Sequence, residues 1–349
     1  MLDKQSYETI EAVNYSTLSK LSRHPRLLIA PRAAPTAGQR MGSLIDCLML
    51  TPEEFDTKFF VSTAKLPAEA MENLLNEYLR LVGDQYYPIN EDALKTANDV
   101  IRLGGKWKFD TVLEKFKDAC TTLLSEKLEA GTKLVVDRQT TDTASFLATR
   151  AKTNEFISNV MSPITPDGLS LNQLAIVWNY DIAGISILCK SLLDNTVLHI
   201  VDGFAKKVTI NDVKWTSGDY GQFLQDMLEW NYPLQTAMYT LAIGSLISED
   251  SDCSADIKKY ITPETEIEFN FVVITRDYEP LIYPASQSVL DLGVNGGYLF
   301  NGVKKKGVLQ LMQEYIRHKE TGYYDYPWDI FDNQGKVDLH VNYFPMSKL

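Results

Sequence analysis

The chain has 349 residues, and 46 acidic side chains outnumber 34 lysines and arginines, for a formal net charge of −12. A hydrophobic content of 45% excludes a disordered or fibrous chain. No apolar run approaches the roughly 18–20 residues of a membrane span, and the N-terminus lacks the apolar core of a signal peptide. Four cysteines without a CxxC pair favour reduced thiols over disulfides or a zinc site. The sequence therefore predicts an intracellular globular protein with one large or two modest domains.

The excess of acid argues against a protein that coats nucleic acid nonspecifically, because phosphate contacts need local positive charge. It does not exclude an enzyme that holds DNA in a confined basic channel. Residues 20–40 contain no acid but carry the cations Lys20, Arg23, Arg26, Arg32 and Arg40. This segment is predicted to be either a DNA contact or a solvated basic loop.

In chain order, residues 14–50 predict two short helices joined by a proline-rich turn, with Asn14 or Ser16 as the cap of the first helix. Residues 65–160 are charge-rich and helical in pattern. They carry no chemical motif, and we interpret them as a helical insertion.

From about residue 172 the pattern becomes that of strands. QLAIVWNY, ISILCKSLLD and KVTINDVKWT are rich in β-branched and aromatic residues, and a hairpin-type turn over 181–184 separates the first two. Two helices follow, GQFLQDMLEW and YPLQTAMYTLAIGSLI, with Pro233 in the first turn of the second. TEIEFNFVVITRD predicts a further strand. Lys304, Lys305 and Lys306 are expected to begin the last long helix, either as a contact to an anionic partner or as an ordinary solvated helix start.

The segment with the clearest chemistry is Asp212-Val213-Lys214, preceded by Asp194. Side chains two apart in a strand point to the same face, so Asp212 and Lys214 are expected to project together. Asp194 is predicted to close the preceding strand and to meet Asp212 across the sheet. Carboxylates are the ligands that Mg²⁺ prefers, and a lysine can orient a water and neutralise developing charge. These groups suit phosphodiester hydrolysis, although D-x-K alone is also common in strands without a catalytic role.

Two other features add to this pattern. Gly42 and Asp46 are four residues apart on one helix, and therefore share a face on which Asp46 could be a third metal ligand. Gln235 and Tyr239 have the same spacing on the helix that follows the D-x-K strand.

Six segments in this order resemble the RecE (exonuclease VIII) type of exonuclease within the PD-(D/E)XK superfamily. NYSTLSKLSRHPRLL is similar to the family's serine-containing first helix with its following proline, and GSLIDCLMLTPEEF to its G-x-x-x-H…P-x-x-F segment. CKSLLD resembles the strand that ends in the first catalytic aspartate, and NDVKWTS the D-x-K-T strand. NYPLQTAMY resembles the Q-x-x-x-Y helix, and FNFVVITRDYEPLIYPAS the closing strand. The resemblance covers about 14–60 and 172 to the end.

The resemblance implies that Asp194 and Asp212 ligate Mg²⁺, for which Mn²⁺ would substitute, with the carbonyl of Val213 as a further ligand. Lys214 would assist the nucleophilic water. Gln235 and Tyr239 would border the site, where they would contact the scissile strand or steady the lysine.

The resemblance also implies 5′-to-3′ digestion of double-stranded DNA ends by a ring-shaped homo-oligomer in phage-type recombination. A single-strand annealing protein would be the partner, in the cytoplasm of a bacterial or phage-infected cell, without membrane contact. The implied fold is α/β (α+β): a restriction-endonuclease-like core with a mixed central sheet flanked by helices. Residues 1–60 are predicted to contribute helices to the nuclease site, 61–165 to form the helical insertion, and 166–349 to form the nuclease core with a C-terminal helix.

Two features depart from the family pattern. Asp46 stands where the family has histidine and related nucleases have glutamate, and its shorter side chain reaches less far. The 18 residues from Asp194 to Asp212 are many for adjacent strands and predict an inserted loop through VDGFAKK. Asp202 in that loop is a rival for the first aspartate, although CKSLLD favours Asp194. Two other functions stay open: a catalytically inactive DNA-binding or interaction protein on the same fold, and a repair or restriction endonuclease.

Overall fold

The computed structural model describes residues 2, 4–31, 34–103, 105, 107–248, 250–299 and 302–336. The chain divides into two compact units, one formed by Met1–Arg32 with Ala151–Leu349 and the other by Ala33–Arg150. We call them the sheet unit and the helical unit. The breaks fall at 32/33 and 150/151 rather than at 60/61 and 165/166, so the helix that carries Asp46 belongs to the helical unit.

The helices are α1 (Lys4–Thr9), α2 (Tyr15–Arg23), α3 (Ala37–Leu50), α4 (Phe55–Lys58), α5 (Glu69–Val82), α6 (Glu91–Ile101), α7 (Phe109–Ala130), α8 (Arg138–Thr153), α9 (Glu155–Val160), α10 (Tyr220–Glu229), α11 (Tyr232–Ser245), α12 (Gln287–Asn295), α13 (Val308–Thr321) and α14 (Trp328–Asp332). The strands are β1 (Phe59–Ser62), β2 (Leu134–Asp137), β3 (Leu169–Ile182), β4 (Ile185–Val201), β5 (Phe204–Thr216), β6 (Asp252–Cys253), β7 (Glu266–Thr275), β8 (Leu281–Pro284), β9 (Gly297–Tyr298) and β10 (Lys304–Lys305). Short 3₁₀ turns span Pro25–Leu28, Pro52–Glu54 and Lys258–Tyr260.

The sheet unit is built on a mixed sheet with the strand order β6-β3-β4-β5-β7-β8. Its neighbouring strands are antiparallel except for β5 and β7, which are parallel. The predicted strands are confirmed as β3, β4, β5 and β7. The turn between β3 and β4 is the predicted one, with Ala183 and Gly184 at φ of 51° and 81°, as a tight two-residue hairpin turn requires.

The predicted loop between Asp194 and Asp212 is wrong, because these residues belong to one long hairpin. β4 does not end at Asp194 but continues to Val201, and β5 begins at Phe204. Asp202 and Gly203 form the turn, both with positive φ, at 53° and 80°. An Asp-Gly pair favours such a turn, and the apolar residues on either side extend the strands up to it. Asp202 therefore lies at a hairpin tip, eight residues along the strand from Asp194.

Helices cover both faces of the sheet. On one face, Leu234, Ala237 and Met238 of α11 share a buried core with residues such as Ile210 and Phe271 of the strands. On the other face, Leu2, which precedes α1, and Tyr7 of α1 form a buried cluster with Ala175 and Val177 of β3. A mixed central sheet flanked by helices is the predicted α+β architecture, which is thus confirmed.

The start of α11 is held by a close approach of α12. A Cβ on Gly293 would lie 1.9 Å from the carbonyl oxygen of Pro233, so only glycine fits this crossing. Pro233 occupies the first turn of α11, as predicted. This contact matters for the site because Gln235 lies only two residues after Pro233 on α11.

The helical unit has its own core between α5, α6 and α7, where Leu74, Tyr78, Leu94 and Phe116 are fully buried. This confirms the helical pattern predicted for 65–160. The parallel pair β1–β2 was not predicted, since each strand is only four residues long.

The predicted helix start at Lys304–Lys306 is wrong. Lys304 and Lys305 form β10, and α13 begins at Val308 after Gly307, whose N–H donates to Oε1 of Gln310. Of the two candidates for the cap of the first predicted helix, Asn14 is the one found, because its side chain accepts from Thr17 N–H at the start of α2.

All four cysteines are buried free thiols. In the described part of the chain, no helix combines the length and apolarity needed to cross a bilayer.

Candidate active site

Asp194 and Asp212 lie where strands β4 and β5 separate. The β4–β5 pairing ends at Asn195–Asn211, one residue short of both aspartates. Beyond this point Oδ2 of Asp194 accepts a hydrogen bond of 2.9 Å from the N–H of Val213. If β4 and β5 had stayed paired, the N–H of Val213 would have donated to a backbone carbonyl of β4. The Asp194 carboxylate takes the place of that carbonyl. This separation brings a β4 side chain beside the D-x-K segment of β5.

Asp212 and Lys214 meet as the strand period predicts. They project from the same face of β5 and form an ion pair between Oδ2 of Asp212 and Nζ of Lys214. Asp212 is almost fully buried, whereas the side chain of Lys214 keeps 17% of its surface exposed. The lysine is thus anchored at its tip by the carboxylate and still reaches solvent.

Gln235 contacts Asp212 rather than Lys214. Its Nε2 donates a hydrogen bond of 2.7 Å to Oδ1 of Asp212. Both oxygens of Asp212 are therefore engaged, one by an amide from α11 and the other by Lys214. Tyr239, one turn further along α11, is buried, and burial together with the nearby Asp212 raises its pKa well above the ordinary value.

Two tyrosines that the sequence motifs did not indicate border the lysine. Nζ of Lys214 lies 5.1 Å from the ring centroid of Tyr232, which precedes Gln235 by three residues on α11. Tyr15 of α2 donates to the Trp230 carbonyl at 2.7 Å, and the nearby Lys214 ammonium partly offsets the rise in its pKa that burial causes. Helical spacing from Gln235 was the one signal that could have identified Tyr232.

The electrostatics of the site leave negative charge in excess. Burial and then the neighbouring Asp212 raise the pKa of Asp194 to about 7. Burial also raises the pKa of Asp212, although Lys214 counteracts this. Burial acts to lower the pKa of Lys214, but the two carboxylates outweigh it and raise the value above the ordinary one. With both acids ionised, one ammonium faces two carboxylates, and a cation would relieve the remaining repulsion.

The donors fit a hard divalent cation. Asp194 and Asp212 offer carboxylate oxygens, and Mg²⁺ is commonly held by one or two carboxylates while it keeps several waters. Within the described residues, no group of three or more His, Cys, Asp or Glu side chains is placed to hold a metal ion. Asp46 lies on α3 of the helical unit, and its role as a third ligand stays a prediction, as does that of the Val213 carbonyl.

Comparison with known proteins adds a distant structural likeness. No family model and no curated protein matches the sequence. The crystal structure of a candidate exonuclease from Eubacterium rectale is similar at a TM-score of 0.45 and 11% identity, over 98% of this chain and 96% of that one. The crystal structure of SSO0001 is similar at a TM-score of 0.26 and 11% identity, over 84% and 92% of the two chains.

A rung of asparagines lies next to the two aspartates, with Asn195 directly after Asp194 and Asn211 directly before Asp212. Asn172, Asn195, Asn211 and Asn270 are register partners across β3, β4, β5 and β7. Their amides form a chain of hydrogen bonds of 2.9 to 3.1 Å, from Asn270 to Asn211, from Asn211 to Asn195, and from Asn195 to Asn172. Asn211 also donates to the carbonyl of Val160 at the end of α9. This rung ties four strands together next to the point where β4 and β5 separate, and sequence reasoning missed it.

The predicted DNA-binding residues of segment 20–40 have different surroundings. Lys20 lies in the last turn of α2, and the guanidinium of Arg23 lies 5.5 Å from the ring centroid of Trp230. Arg26 is exposed and pairs with Asp325. Arg40 belongs to the helical unit, where it is buried and bonded to Glu72 and to the Pro35 carbonyl, so it has little surface to offer a phosphate. Arg32 lies outside the described residues.

The two predicted C-terminal contacts also differ from each other. Lys304 is exposed. Lys305 donates to the carbonyl of Leu228 at 2.7 Å, and burial lowers its pKa. Of this pair, Lys304 is therefore the residue more accessible to an external anion.

Proposed function

We propose that this chain is a metal-dependent exodeoxyribonuclease that degrades linear double-stranded DNA. The observation that carries the proposal is the meeting of Asp194, Asp212 and Lys214 where β4 and β5 separate. Two carboxylates and an ammonium in one partly exposed place are the groups that hydrolysis of a phosphodiester needs.

Asp194 and Asp212 are the residues that would hold Mg²⁺, or Mn²⁺ in its place. When bound, such an ion lowers the pKa of a coordinated water and stabilises negative charge on the reacting oxygens. The raised pKa of Asp194 supports this assignment, because a half-buried carboxylate beside a second one is stabilised in its ionised form by a cation.

The chain's own residues hold the reacting groups in place. The N–H of Val213 fixes Oδ2 of Asp194, and Nε2 of Gln235 fixes Oδ1 of Asp212, so neither carboxylate rotates freely. Lys214 points its ammonium at the same place and remains partly exposed. It would donate a hydrogen bond to the attacking water or to a phosphate oxygen and neutralise the charge that develops there. The ring of Tyr232 lies beside the ammonium, and Tyr239 is buried one turn beyond Gln235 on α11.

The finer parts of the proposal rest on the resemblance of the six motifs. They are 5′-to-3′ polarity, a ring-shaped homo-oligomer, a single-strand annealing protein as partner and a role in phage-type recombination. Linear duplex DNA labelled at either 5′ or 3′ ends tests polarity, since early release of the 5′ label is expected. The molar mass from light scattering tests the ring-shaped oligomer. A single oligomeric species is expected, and a monomer would contradict the ring.

The central experiment is release of acid-soluble nucleotides from linear duplex DNA with Mg²⁺. We expect Lys214→Ala to lower the rate roughly 100-fold or more, because the charge that develops on phosphate is then not neutralised. Lys259→Ala is the matched control, since Lys259 is exposed, pairs with Asp256 and lies outside the site. Its rate should equal that of the unchanged protein.

The same assay separates the alternatives. Closed circular DNA should stay intact, and its cleavage would indicate an endonuclease. If no divalent metal supports release while linear DNA is still bound, the chain is an inactive DNA-binding protein. Equal rates for the Lys214→Ala and Lys259→Ala proteins would contradict the assignment of the site.

A further inference from the structure

Strand β3 has an irregular backbone directly opposite Asp194. The β3–β4 pairing runs without interruption from Leu169–Leu198 to Ile182–Ile185, except at Gln173, whose position faces Asp194. Gln173 has a φ of 52°, in the left-handed region that side chains other than Gly, Asn and Asp rarely adopt. A strained residue therefore lies in the middle of a strand, beside a carboxylate of the proposed site.

The irregularity changes which face of β3 is apolar. Before it, Leu169 and Leu171 pack on the core that α11 covers; after it, Leu174 and Ile176 do so. Leu171 and Leu174 are three residues apart, whereas a regular strand would place residues two apart on the same face. The left-handed backbone at Gln173 thus shifts the in-and-out alternation of β3 side chains by one residue. The shift occurs where β3 faces Asp194.

Gln173 also contacts Asp194 directly. Its Nε2 donates a hydrogen bond of 3.4 Å to Oδ1, while the N–H of Val213 donates one of 2.9 Å to Oδ2. The carboxylate is therefore held from β3 on one side and from β5 on the other. The rung of Asn172, Asn195 and Asn211 lies one residue away, and the β3–β4 register is the same on both sides of Gln173.

We infer that Gln173 is a positioning residue for Asp194: its left-handed backbone opens the β3–β4 ladder and its carboxamide orients the carboxylate toward Val213 and Asp212. Strain of this kind persists only where the surrounding structure imposes it, and it clusters at functional sites. The inference goes beyond the proposed function and rests on it only for the consequence in metal binding.

Replacement by glycine separates the two contributions of Gln173. Gln173→Gly keeps the positive φ without strain and removes the carboxamide, so the melting temperature should stay equal or rise. Ala183→Gly is the matched control, because Ala183 has a φ of 51° in the β3–β4 turn and its side chain takes no part in the site. A purely structural role for Gln173 predicts the same behaviour from both variants.

The positioning role predicts different behaviour in two further measurements. In Gln173→Gly, the amide hydrogen of Val213 should exchange roughly tenfold faster, with the amide of Val273 in β7 as internal reference. The dissociation constant for Mn²⁺, from calorimetry on the whole chain, should rise about tenfold or more, as it does when a residue that orients a metal ligand is removed. Gln173→Asn, which tolerates the left-handed backbone and retains an amide, should recover part of the Mn²⁺ affinity.

The outcomes distinguish this inference from the proposed function. Unchanged exchange at Val213 and unchanged Mn²⁺ affinity in Gln173→Gly would overturn the role of Gln173 even in an active nuclease. If the unaltered protein binds no Mn²⁺ and releases no nucleotides, the proposed function fails. Exchange at Val213 then still decides whether Gln173 positions Asp194.

Discussion

Glu126 of the helical unit is buried and Asp194 of the sheet unit is half-buried, but the two acids have opposite chemical surroundings. In the helical unit, the carboxylate of Glu126 accepts hydrogen bonds from the hydroxyl of Ser62 and from the N–H and hydroxyl of Thr63. Although burial acts to raise its pKa, these donors outweigh burial and lower it. In the sheet unit, Asp194 has a backbone donor and one long amide contact, and its pKa is raised.

The comparison shows that burial alone does not distinguish a structural acid from a reactive one. Glu126 is stable as an anion because neutral donors surround it, and it needs nothing from outside. Asp194 faces a second carboxylate, which repels it, so its ionised form needs a cation. The number of donors and the sign of the neighbouring charge therefore distinguish an acid that is stable as an anion by itself from one that a cation would stabilise.

The largest expected effect is on the catalysis proposed for the sheet unit. Asp212→Asn should lower the rate of nucleotide release about 100- to 1,000-fold, or roughly 3–4 kcal/mol, because a ligand charge is lost. The melting temperature of the metal-free protein should change little, since the substitution removes both the repulsion with Asp194 and the attraction to Lys214, while Asp194 remains beside the lysine. A drop in melting temperature as large as that of a core mutation would show that Asp212 is structural.

The second effect is on stability of the helical unit. Glu126→Ala leaves the donors of Ser62 and Thr63 without an acceptor, which should lower the free energy of unfolding by about 2–3 kcal/mol. Urea unfolding measures this change. Glu129→Ala, at an exposed position of the same helix, is the control and should change stability little. Mn²⁺ affinity should be the same in both variants.

The smallest effect is the response of stability to pH, and its sign differs between the two acids. The pKa of Asp194 is raised from 3.8 to about 7, so the metal-free native state gains stability relative to the unfolded chain as pH falls through this window. Glu126 acts in the opposite direction, because its lowered pKa gives a contribution that is present above 4.5 and is lost at lower pH.

Melting temperatures of the metal-free protein between pH 8 and pH 5 test the first sign. They should rise as pH falls, and Asp194→Asn should flatten the rise. Saturating Mn²⁺ should reverse the trend, since protons compete with the ion. A melting temperature independent of pH in the unaltered protein would contradict the raised pKa.

Local sequence was sufficient for part of the site. The strand period placed Asp212 and Lys214 on one face, and the ion pair between them follows. Pro233 and Asn14 marked helix starts through their own backbone chemistry. These features depend on neighbours in the chain, which is why they are readable without coordinates.

Other parts of the site depend on register between distant strands. Asp194 resembles a strand end in CKSLLD, yet β4 continues to Val201, because the Asp-Gly turn that closes the hairpin lies eight residues later. The bond from Gln235 to Asp212 depends on how α11 packs on the sheet, and α12 helps to fix that packing through Gly293.

Periodicity and turn residues are enough to predict the strands, the helical middle of the chain and the pairing of Asp212 with Lys214. The alignment of four asparagines across β3, β4, β5 and β7, and the left-handed Gln173 that faces Asp194, become visible only in the folded chain. Strand register is set by packing between segments far apart in the chain, and a shift of one residue would exchange the faces of every side chain.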